Sequence, residues 1–138
     1  MSRAQWLPLV LLALGCAQTT APATAAGIVL LPERAVYAPG DTVRAELSNQ
    51  SGASIGFGAC SLSLERQTAG GWVRVSPQPG PCIMILYVLE SGRQSMQAQG
   101  IDPALPLGVY RLRQEVMPQT RLPERSVFSS VFSVRAPA

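Results

Sequence analysis

The sequence predicts an all-β domain, a single antiparallel β-sandwich of about seven to nine strands, and three observations predict it. Apolar residues after position 26 fall in short runs, several alternating in polarity with a period of two. Ten Pro and eleven Gly punctuate these runs, and helical periodicity is weak throughout. Cys60 and Cys82 flank a strong hairpin signal, where one covalent closure would support a small core. Residues 27–138 leave 112 positions, room for one domain and no second.

The elements follow in order. Residues 28–31 form a strand that Pro32 breaks and residues 35–37 resume, as edge strands often do. Ala38-Pro39-Gly40-Asp41 is a turn: Pro presets φ, Gly admits positive φ, and Asp bonds the backbone ahead. Residues 42–49 alternate, with Val43, Ala45 and Leu47 inward and Thr42, Arg44, Glu46 and Ser48 outward. A polar turn at 50–54 leads to a Gly-rich strand or bulge at 55–59.

Residues 61–68 and 72–75 then flank Ala69-Gly70-Gly71 as a hairpin. A loop of two or four residues places Leu62, Leu64, Val73 and Val75 on one face and turns Trp72 outward, and the four-residue loop also sets Glu65 opposite Arg74. The hairpin returns Cys60 and Cys82 to one end, and a disulfide is expected between them. A closed loop of this size would contribute about 3.4 kcal/mol on the chain-entropy view. Pro77, Pro79 and Pro81 keep the return irregular. Residues 83–89 are nearly all apolar, expected as a strand buried on both faces. Residues 94–99 read as a polar edge strand and 109–116 alternate, with Tyr110, Leu112, Gln114 and Val116 on one face. Residues 117–125 form a loop, and 126–134 close the domain.

The first 26 residues have another logic. Arg3 precedes ten uncharged residues, 6–15, a signal-peptide core too short to span a bilayer. Ala13-Leu14-Gly15-Cys16 resembles the lipobox of bacterial lipoproteins, although Leu then Ala is commoner where Ala13 and Leu14 stand. The resemblance implies cleavage before Cys16, a lipid on its thiol, and residues 17–26 as a small, polar tether. Plain secretion, with cleavage after Ala25, is the alternative. Export to an oxidising compartment also permits the Cys60–Cys82 bridge.

Composition narrows the chemistry. The chain has no His, which removes the commonest general base and metal ligand. All eleven basic residues are Arg; without Arg3, ten face eight acids, with no clustered stripe for nucleic acid. Ser48, Ser51, Ser61 and Ser63 lack a nucleophile elbow, and Asp41, Glu33 and Glu46 are too dispersed for Ca²⁺. The expectation is no catalytic residue, no metal and no cofactor.

Leu105-Pro106-Leu107-Gly108-Val109-Tyr110 resembles the turn into the penultimate strand of fibronectin-III-like and immunoglobulin-like domains. The resemblance makes Tyr110 a tyrosine corner. Tyr37-x-x-Gly40-Asp41-x-Val43, Leu47-x-Asn49-x-Ser51 and Leu89-x-Ser91-Gly92 extend the likeness over residues 27–135. Together they resemble a bacterial immunoglobulin-like domain of envelope lipoproteins, with Ser91-Gly92 where Pro-Gly is frequent. A weaker similarity is to the bacterial intracellular proteinase inhibitor family, against which the export segment argues.

The expected function is that of a membrane-anchored envelope lipoprotein, non-enzymatic, binding a protein or glycan or serving an envelope assembly. An extracytoplasmic protease inhibitor acting through an exposed loop is the alternative. Trp72, Pro79 in loop 76–81 and Arg121 in loop 117–125 are the candidate contact residues. Of the other aromatics after residue 26, Tyr37, Phe57, Tyr87, Tyr110, Phe128 and Phe132, most are expected in the core.

Overall fold

The computed structural model describes residues 27–76, 82, 85–118 and 124–138. These contain ten strands and no helix: β1 (Ile28–Pro32), β2 (Val36–Tyr37), β3 (Thr42–Asn49), β4 (Ile55–Thr68), β5 (Gly71–Arg74), β6 (Leu86–Leu89), β7 (Gln94–Gly100), β8 (Gly108–Pro118), β9 (Arg125–Phe128) and β10 (Phe132–Val134). Two sheets face each other as a β-sandwich. The smaller has the order β1-β3-β7; the larger runs β2-β10-β8-β4-β5, with β6 paired to β4 and β9 to β8. Every pairing is antiparallel except β2 with β10. The count exceeds the expected seven to nine; the run 126–134 divides at Ser129, whose Oγ accepts from Leu112 N. Conversely, the two runs 55–59 and 61–68 fuse into one long β4 with a register shift between Phe57 and Leu62.

The alternation of β3 and β8 translates directly into burial. Val43, Ala45 and Leu47 from β3, and Tyr110, Leu112 and Val116 from β8, have no exposed surface. Ile28 and Leu30 join them from the smaller sheet; Ile55, Leu62, Leu64, Val127, Phe132 and Val134 join from the larger. β7 lies at a sheet edge as its polar sequence implies, and its inward residue is Gln97. The chain changes sheets after Pro32, whose missing N–H suits the departure. The following residues are tied on both sides, since Glu33 N donates to Arg44 O and Arg34 N to Tyr37 Oη.

One expectation is overturned. The run at 83–89 is not buried on both faces: Ile85, Leu86, Tyr87 and Val88 are 45–56% exposed, and of the described part of this run only Leu89 is buried. β6 pairs with β4 alone among the described residues, and a three-stranded opposite sheet is too narrow to cover it. Residues 83 and 84 lie outside the described residues.

The sandwich has two distinguishable ends. Gly27 lies at one, bonded to the turn after β3 (Gln50 N to Gly27 O), and this end also carries the turns at 50–54 and 90–93. The turn 38–41, the hairpin turn at Ala69-Gly70, the segment 101–107 and the C-terminus lie at the other.

Candidate functional site

The hairpin takes the even register, with Glu65 opposite Arg74 and Gln67 opposite Trp72. Expectation and structure then diverge at three side chains. Glu65 bonds not Arg74 but the two arginines of β8: Arg111 Nε and Nη2 lie 2.8 and 2.7 Å from its Oε2, and Arg113 Nη1 3.5 Å from its Oε1. Arg111 stands directly across β4 from Glu65 in the sheet interior, whereas Arg74 sits on the exposed edge strand. Val73, though on the same side of β5 as Val75, is half exposed because it projects past the rim of the core. Trp72 points outward as expected but is half-buried, because the Arg111 guanidinium covers its ring at 4.2 Å.

Arg111 also lies 4.0 Å from the Phe128 ring centroid, so β5 and β9 each supply an aromatic ring to one cation. Arg113 continues the row to Glu115, which accepts from Ser126 Oγ at 3.0 and 2.9 Å. Burial works against the charge of Arg113, but Glu115 and Glu65 outweigh it and hold its pKa above the ordinary arginine value. The acids of this row are therefore committed to arginines, and the arrangement is a structural ladder across the outer face.

Beyond the ladder, toward the Gly27 end, the outer face turns apolar. Gly56 pairs with Val88 on one side and Met117 on the other, and Gly58 pairs with Leu86. Leu86 folds over Gly56, where a Cβ would meet its Cδ1 at 3.1 Å. Bare backbone therefore floors a cavity of about 240 Å³, walled by Ile85, Leu86, Met117 and Cys60 and rimmed by Glu115 and Glu124. On the inward side of β6, Tyr87 stacks on Phe57 with centroids 5.5 Å apart. Tyr87 is thus a correction to the aromatic-core expectation, whereas Tyr37, Phe57, Tyr110 and Phe132 are buried. Phe128 and Trp72 are intermediate.

Cys60 and Cys82 are bridged, with Cα atoms 5.8 Å apart. The bridge joins the irregular stretch of β4 to the chain just before β6. That stretch is held by a buried amide: Gln114 Nε2 donates to Ser61 Oγ and to Gly58 O, while Ser61 Oγ donates to Gly58 O.

At the opposite end the Tyr110 hydroxyl donates to Pro106 O, closing the 106–110 corner. Burial raises the Tyr110 pKa, and the nearby Arg66 charge offsets part of that rise. Arg66 Nε is buried without an acceptor among the described residues, packed against the Gly108 backbone. Between the sheet ends here lies an open groove of about 320 Å³, with Val75, Ile101 and Leu105 as apolar lining and Ser76, Gln99 and Asp102 as polar lining.

Asn49 was legible only as part of a motif, and its role is larger. Fully buried, its Nδ2 donates to Ala53 O at 2.7 Å and Leu89 O at 2.9 Å, and its Oδ1 accepts from Ser51 N and Oγ. Asp41 is the turn residue expected, but its carboxylate accepts from Ala38 N behind it rather than from the backbone ahead, with Arg34 at 3.3 Å. Cys16, Pro79 and Arg121 lie outside the described residues. No group of His, Cys, Asp and Glu able to hold a metal ion occurs among the described residues. No protein-family model matches the chain, and no curated protein matches it either.

Proposed function

We propose that this chain is an exported, lipid-anchored envelope protein whose immunoglobulin-like β-sandwich is a non-catalytic module for binding a protein or a glycan. One observation carries the reading: the open groove lined by Val75, Gln99, Ile101, Asp102 and Leu105 sits at the end opposite Gly27. A tether arriving at Gly27 leaves that end facing away from its attachment point. The groove combines an apolar lining with a few polar groups, the composition of a recognition site. The engagement of Asp41, Glu65 and Glu115 by arginines supports a binding role over acid–base chemistry.

A photoreactive residue at Asp102 tests this in intact cells of the host, with the same probe at Glu90, on the Gly27 end, as reference. The expected result is a discrete adduct, to a protein or to cell-wall glycan, from position 102 and not from position 90. Adducts from position 90 alone would overturn the assignment of the groove.

A further inference from the structure

Exposed apolar side chains are not scattered evenly over this domain. Ile85, Leu86 and Val88 of the β6 segment and Met117 of β8 gather beside Gly56 and Gly58 as one flank on the outer face of the larger sheet. Residues 85–89 contain no charge and no Pro, so this described stretch lacks two of the usual protections of a strand edge. A flank of this kind marks a surface that something covers.

Its position says what. β6 pairs with residues 55–58, the part of β4 nearest the Gly27 end, and Asn49 ties Leu89 O into the turn beside Gly27. Eleven residue steps separate Gly27 from Cys16. Fully extended they span at most about 40 Å, so a lipid at Cys16 keeps this end within that distance of the bilayer. We infer that the flank formed by Leu86, Val88 and Met117 lies on the lipid bilayer, its side chains entering the headgroup–acyl boundary. This rests on the reading of Cys16 as a lipid anchor.

The chemistry of the flank fits that occupant. Its outward side chains are apolar and uncharged, the kind that enters the headgroup–acyl boundary. Its charged neighbours nearly cancel: Arg93 and Arg125 stand near Glu90 and Glu124 along the sequence and the strand ends. Apolar burial, not charge, therefore drives the docking, and the tether raises its effective concentration so that weak insertion suffices. The arrangement tilts the sandwich on its β6 side and leaves the groove at the far end free.

The test uses the full chain purified from host membranes and placed in phosphatidylethanolamine–phosphatidylglycerol vesicles, with and without brominated acyl chains. Flotation with the vesicles reports the anchor by itself. In a Trp72→Phe background, Leu86→Trp is expected to give fluorescence quenched at least twofold by the brominated lipid, unchanged in 1 M salt. Val73→Trp, at the far end, is expected to show no quenching. The unaltered chain supplies a second readout, at least fivefold slower deuterium uptake by residues 85–89 on vesicles than after proteolytic release from the tether. Flotation without quenching or protection overturns the docking and leaves the anchor standing. Loss of flotation overturns both. Protection that persists after release, with a sedimenting dimer that Leu86→Asp abolishes, assigns the flank to a second copy instead.

Discussion

Tyr110 and Asn49 hold the two ends of the sandwich by different means. Tyr110 bonds one carbonyl, Pro106 O, from a fully buried position. Tyr110→Phe leaves that acceptor without its donor, and a loss of about 1–2 kcal/mol is expected in a urea titration. Because burial raises the phenol pKa, the folded state holds this proton more tightly than the unfolded chain does. Its contribution is complete below the unfolded value near 10 and is lost as pH rises through the higher folded value. Urea midpoints should therefore fall on passing from pH 9 to pH 11, by less in Tyr110→Phe than in the parent. Asn49 serves two segments at once, the 50–54 turn through Ser51 and Ala53 and the end of β6 through Leu89. Asn49→Ala strands the buried Leu89 carbonyl and loosens the turn, and about 3 kcal/mol of destabilisation is expected by the same measurement.

Pairing between strands separates the ion pairs that matter from those that do not. Glu65 is 6% exposed and faces Arg111 and Arg113 across the β4–β8 pairing. Glu33 and Arg44 form a pair 3.5 Å apart with both side chains about half exposed. Glu65→Ala should cost about 2–3 kcal/mol, since charged hydrogen bonds are lost and two arginines lose their partner. Glu33→Ala should cost less than about 1 kcal/mol, because water already screens that pair. Equal effects in chemical denaturation would contradict this ordering. The hairpin register was legible because a loop of even length and the apolar positions agree. The partner chosen by Glu65 was not, because Arg111 comes from a strand 46 residues away.

The domain as one unit depends on its bridge. Cys60 and Cys82 lie 22 residues apart, and opening the bridge releases loop entropy worth about 3.4 kcal/mol on the chain-entropy view. That is a large fraction of the ~5–15 kcal/mol typical of a domain. The double variant Cys60→Ser, Cys82→Ser should unfold at a clearly lower temperature in a calorimetric scan, by several degrees at least. An unchanged midpoint would mean that the bridge closes a segment already ordered by other contacts.

Local chemistry settled the class of this fold. The alternation in β3 and β8 dictates which faces are buried, since successive side chains on a strand point to opposite sides whatever surrounds them. The Pro-Gly-Asp turn and the Ala-Gly-Gly turn likewise act within a few bonds. Three-dimensional assembly decided the fate of β6, because an unbroken apolar run carries no facing information and its exposure depends on whether another strand or sheet reaches it. Assembly also decided the burial of Asn49, Glu65 and Gln114. Each of the three hydrogen-bonds to a part of the chain 40 or more residues away, Asn49 to Leu89, Glu65 to Arg111 and Gln114 to Gly58 and Ser61, and no short stretch of sequence contains those partners.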